Sequence, residues 1–155
     1  MAEMQYDNYP AFHIADDLSV FDFYSIGKNG MIHKRIAFMR TDKAGVYNLA
    51  FGDVNNAGEI DDFKISDNGD RNKILATVAK AVFEYVKEYP RRWVFFQGST
   101  TERTRLYRMA IGLNLEELIL NFEIYGQIGE EFLPFYKNMP AIAFLLKKKL
   151  FKFEI

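Results

Sequence analysis

The chain has no cysteine and only two histidines among its 155 residues. Disulfides, thiolate zinc sites and cysteine nucleophiles are therefore excluded, and so is a His-rich metal centre. Prolines are few, at Pro10, Pro90, Pro134 and Pro140, and no tract is of low complexity. No stretch approaches the roughly 18 consecutive apolar residues of a membrane helix. The opening MAEMQYDNYPAFHIADD is acidic and lacks an apolar run, so no signal peptide is expected and the cytoplasm is the expected compartment. Charge of one sign is also missing: 20 Lys+Arg face 21 Asp+Glu, a net charge of −1. That balance excludes a strongly basic nucleic-acid sleeve.

What is present is a chain 49% hydrophobic, enough for one folded domain over 1–155. The first half reads as hairpins. Phe21 and Phe23 share one strand face, as do Ile32, Ile36 and Phe38, then Tyr47, Leu49 and Phe51. Gly- and Asn-containing turns separate them at 27–30, 42–45 and 55–58. A fourth strand is expected over 60–65. Asp70 is the expected N-cap of a long helix, in which Ile74, Leu75, Val78, Val82, Val86 and Tyr89 recur at helical spacing and which Pro90 stops. Trp93 to Phe96 is apolar without alternation and predicts a central strand buried on both faces. Ser99 and Glu102 have capping-box spacing for a second helix. A short helical turn at 115–119 and closing strands at 122–125 and 141–148 complete the chain. The expected class is α+β, a mostly antiparallel sheet in the order ββββ-α-β-α-β-β with two principal helices.

The near-neutral total hides two opposed clusters. Residues 52–70 carry six acids against Lys64, and residues 91–108 carry five arginines against Glu102. Three stretches, Tyr47-Asn48-Leu49-Ala50-Phe51-Gly52-Asp53, Ser66-x-Asn68-Gly69-Asp70 and Gly98-Ser99-Thr100-x-x-Arg103-Thr104-Arg105-Leu106-Tyr107-Arg108, resemble a family of small bacterial proteins known only as a domain of unknown function. That resemblance implies one intracellular domain and carries no activity.

A second resemblance, topological, is to the core of the GNAT acyltransferases. There, a loop after the fourth strand holds the coenzyme A pyrophosphate, and a later helix carries N-x-x-A-x-x-L-Y. Thr100 to Tyr107 keeps the Leu-Tyr spacing, with Thr100 for the Asn and Arg103 for the Ala. The resemblance implies acetyl-coenzyme A as cofactor, with Asn68, Gly69 and Lys73 in the loop meeting the pyrophosphate. It also implies Tyr107 as general acid and Asp53 or Asp62 as base. The family's first loop glycine is absent from Arg71 to Ala76.

Each candidate has two readings. Ser99, Thr100, Arg103, Arg105 and Arg108 gather at a helix start, where free N–H groups and arginine forks suit a phosphate or carboxylate. The same arginines also suit ion pairs with the acidic 53–70 segment. Tyr107 is a general acid or a core tyrosine. Asp62-Phe63-Lys64, with Asp53 and Asp61, fits the D/E-x-K pattern of metal-dependent nucleases but also an ordinary solvated hairpin end. No metal site is expected from His13 and His33, which are far apart. Arg91, Arg92, the 103–108 arginines and Lys147, Lys148, Lys149 and Lys152 are the cations available to a nucleic acid. Sheet edges are available to a second copy. The leading expectation is a small-molecule or anion site at 98–108 on an acyltransferase-like scaffold. The rival is a non-enzymatic regulatory module that binds nucleic acid or protein.

Overall fold

A computed structural model describes residues 7–61 and 66–150. Strands β1 (His13–Ile14), β2 (Val20–Gly27), β3 (Gly30–Arg40), β4 (Val46–Val54) and β5 (Ile60–Asp61) precede helix α1 (Arg71–Glu88). Then come β6 (Trp93–Phe96), α2 (Thr101–Leu113), α3 (Leu115–Leu118), β7 (Phe122–Ile128), β8 (Glu131–Pro134) and β9 (Phe144–Lys148). The nine strands form one sheet, ordered β1-β2-β3-β4-β6-β9-β7-β8, with β5 also on β4. Among the described residues β4–β6 is the parallel pair and the other pairings are antiparallel. The α+β class is as the sequence indicates. Residues 62–65, the remainder of the expected fourth strand, lie outside the described residues.

All three helices lie on one face of the sheet. Val78, Val82 and Val86 of α1, Ile111 of α2 and Leu118 of α3 join one core with Phe23, Ile36, Leu49, Phe96 and Leu146. Phe38 stacks on Tyr85 at 3.9 Å and Phe83 on Phe122 at 4.9 Å, fixing α1 over both halves of the sheet. A helix layer on one side only corrects the expectation for β6. Val94 and Phe96 face the helices and are buried, whereas Trp93 and Phe95 face away and are half-buried. No described helix is long and apolar enough to cross a membrane.

The parallel pair is short. Val46, Tyr47 and Asn48 match Trp93, Val94 and Phe95, and there the pairing stops. Farther along, β4 is bonded on that edge only by β5, at Asp53 and Val54. Among the described residues, Leu49 to Gly52 have no strand partner on the edge that faces β6.

Candidate functional site

The start of α1 is tied to the β2–β3 hairpin by side chains that a helix does not otherwise need. Asn68 is buried; its amide donates to Ser25 Oγ at 3.0 Å and to the Gly30 carbonyl at 2.9 Å. Its carbonyl oxygen accepts from the Asn29 amide at 2.6 Å. Gly69 takes φ +77°, a conformation that an L side chain resists. Asp70 is the N-cap residue by position, but its side chain bonds no helix amide. Instead it accepts from the hydroxyls of Tyr9 and Ser25. Burial first, and then the Asp70 contact, push the Tyr9 phenol above its ordinary pKa. The Lys73 ammonium lies 4.3 Å from the Tyr9 ring centroid. Asn68, Gly69 and Lys73, expected around a pyrophosphate, thus build the junction between α1, the β2–β3 hairpin and the segment before β1 that carries Tyr9.

Ser66 joins the same construction from the other side. Lys34 Nζ donates to Ser66 Oγ at 2.9 Å and lies 2.6 Å from Asp53 Oδ1. Lys34 and Asp53 are directly opposed in the β3–β4 ladder, on the helix-covered face. Asp53 Oδ2 has no hydrogen-bond partner among the described residues. Lys34 and Ser25 escaped the sequence reading. The signal for Lys34 was there: it falls between Ile32 and Ile36 on the apolar face, where a charge requires a partner.

The β6–α2 junction is equally specified. Thr100, not Ser99, is the N-cap: its hydroxyl accepts from the Arg103 amide at 3.2 Å. Ser99 Oγ accepts from Arg103 Nη1 at 3.0 Å. A Cβ on Gly98 would sit 2.3 Å from the Thr104 nitrogen, so the strand end and the helix touch backbone to backbone. The Thr104 hydroxyl accepts from the Gly98 amide at 3.0 Å. Arg105 is exposed, and Arg108 donates to the Ala141 carbonyl at 3.2 Å. The structure therefore brings Ser99, Thr100 and Arg103 together at the helix start, while Arg108 reaches the loop before β9. Asp53 is held by Lys34 and Asp70 by Tyr9 and Ser25; Asp62 and Lys64 lie outside the described residues.

Tyr107 is placed differently. Its ring meets Phe96 edge-on at 5.6 Å, and its hydroxyl has no hydrogen-bond partner among the described residues. Burial pushes the phenol above its ordinary pKa, and the Arg103 charge offsets that only in part. Tyr107 lines a cleft of about 560 Å³, counting its open mouth, between α1 and α2. Leu49 and Phe96 are in its floor, on β4 and β6. Thr100 and Arg103 are not among the described lining residues.

On the helix-free face, Phe12 stacks on Tyr24 at 4.4 Å, with 50% and 40% of their surfaces exposed. Beneath them Asp22 is buried; despite that burial, Arg35, at 2.8 Å, and His33 hold its carboxyl below the ordinary value. Lys147 lies 5.1 Å from the Trp93 ring centroid.

An α+β domain with a one-sided open sheet and an apolar cleft between its two main helices is the class that these observations define. The chain belongs to a family of unknown function (DUF6934), whose model matches residues 5–149. No curated protein and no solved structure matches it significantly.

Proposed function

We propose that this protein binds a small molecule in the cleft between α1 and α2, on a scaffold organised like that of an acyltransferase. The observation that carries the reading is the cleft itself, with Tyr107 half-buried in its wall and a floor of strands whose pairing stops at Asn48 and Phe95. Splayed neighbouring strands and a tyrosine facing the split are what a diverged acyltransferase would retain. In this reading Tyr107 donates a hydrogen bond, and in a catalytic version a proton, while Ser99, Thr100, Arg103 and Arg105 form the polar rim for an anionic part.

Thermal unfolding with and without millimolar acetyl-coenzyme A tests it. Ligand at 100 times its dissociation constant adds about 2.7 kcal/mol to stability. For a chain of this size that raises the midpoint by roughly 5–10 °C. No shift with acetyl-coenzyme A or free coenzyme A rejects the acyltransferase form of the reading.

A protein partner on the helix-free face is a second reading, favoured by the exposed Phe12–Tyr24 stack. The Asp22–Arg35 pair beneath it neutralises the charge that a nucleic acid would need there. Sedimentation of the protein and of Tyr24→Lys separates a self-associating face from an idle one.

A further inference from the structure

Resting on the second reading above, that a protein covers the helix-free face, we infer that the covering protein is a second copy of this chain, packed face to face about a two-fold axis. Alternation along the strands puts Tyr24 of β2, Met31 and Met39 of β3 and Phe132 of β8 on that face. Each is exposed, Met31 by 67%, and Phe12 joins them by stacking on Tyr24. Trp93 and Phe95 of β6 and Tyr125 of β7 stand half-buried on the same side. Between the two aromatic groups the β3 and β4 positions are small, Ala37, Ala50 and Gly52. Tall side chains on the flanks and small ones between them suit interdigitation with a facing sheet.

Charge and size name the occupant. Histidines aside, the charged strand residues described on this face are Asp22, which accepts from Arg35 at 2.8 Å, and Glu123, opposite Lys147 in the β7–β9 ladder. Each acid has its base, so the face is neutral and offers a charged partner nothing. It therefore meets itself without the like-charge repulsion that a self-facing patch of one sign would suffer. Eight strands side by side, of about six residues each, make a face of roughly 750 Å² at about 4.8 Å per strand and about 3.3 Å per residue. A stable interface takes about 800 Å² from each partner.

Trp93 is the single tryptophan of the chain and lies at the middle of this face, on a strand flanked by β4 and β9. Its fluorescence reports burial of the face in the unmodified protein. The experiment pairs sedimentation velocity with acrylamide quenching of Trp93, along a dilution series from about 100 μM to about 10 nM, since interfaces of standard size dissociate at micromolar concentrations or below. The expected result is a particle of twice the chain mass at the top of the series, with Trp93 shielded from quencher in step with dimer formation. Tyr24→Lys and Phe132→Lys each weaken the dimer by about a hundredfold, because a substitution enters a two-fold interface twice, at about tenfold each time. Both side chains are exposed, so the substitutions spare the core. A chain that stays monomeric at about 100 μM overturns the second-copy inference. So does a dimer that survives both variants, or one that leaves Trp93 as open to quencher as the monomer does, since another surface then holds it. The reading beneath is tested apart, by offering one cell lysate to the immobilised parent chain and to immobilised Tyr24→Lys. If the chain is monomeric, a protein held by the parent and not by the variant leaves a protein on this face and rejects the second copy; no difference rejects both.

Discussion

Lys34 Nζ lies 2.6 Å from Asp53 Oδ1 across the β3–β4 ladder, and both side chains are all but sealed from water, 4% and 3% exposed. Two charges taken out of water cost several kcal/mol each unless they meet. Removing one partner leaves the other stranded. Lys34→Met and Asp53→Leu should therefore each cost about 3–5 kcal/mol in urea unfolding, and the double variant much less than their sum. Equal, additive losses would show that the pair contributes only as two independent packing sites.

Gly98→Ala tests the β6–α2 contact. The added carbon would meet the Thr104 nitrogen at 2.3 Å, and that nitrogen belongs to backbone, which cannot swing aside. Overpacking of this kind typically costs about 1–3 kcal/mol. The expected result is a lower unfolding midpoint together with weaker ligand binding, because α2 carries Tyr107. A midpoint unchanged within a degree would mean that the junction is slacker than drawn.

Asn68→Ala removes a side chain that makes three hydrogen bonds in a buried site. Stranding the Asn29 amide and the Gly30 carbonyl should cost about 2–4 kcal/mol. If Asn68 instead serves a pyrophosphate, the variant keeps its stability and loses coenzyme A binding, so unfolding and titration of one variant discriminate the two roles.

The elements that alternate or recur were legible in the sequence: Phe21 with Phe23, Tyr47 with Leu49, and the α1 valines each follow a single geometric period. Asp70 was placed correctly at the helix start but with the wrong work, because its hydroxyl partners, Tyr9 and Ser25, come from 61 and 45 residues away. The expectation that β6 is buried on both faces failed for a related reason, although its central place in the sheet was right. Four apolar residues in a row do not reveal that the helices cover one face of the sheet and leave Trp93 and Phe95 on the other. The candidate site was half legible. Tyr107 was singled out by a motif, but the cleft it lines needs α1 and α2 side by side, a tertiary fact that no local pattern encodes.

Two tyrosines make the sharpest contrast between folding and function. Tyr85 and Tyr107 are both held above the ordinary phenol pKa, in each case chiefly by burial. The Tyr85 hydroxyl accepts from Arg92 at 2.8 Å, whereas that of Tyr107 has no described partner. Tyr85→Phe should therefore cost about 1–2 kcal/mol at pH 7, and Tyr107→Phe little, since its half-buried hydroxyl has no described hydrogen bond to lose. Alkali adds a second measurement. Above about pH 10 the unfolded chain releases these protons while the native state still holds them, so unfolding is favoured as pH rises. The stability each phenol lends is complete below that pH and drains away as pH climbs towards the native value. Urea midpoints at pH 7 and pH 10.5 should differ less in Tyr107→Phe than in the parent protein. A Tyr107→Phe that is markedly destabilised at pH 7 would show the hydroxyl to be committed to the fold.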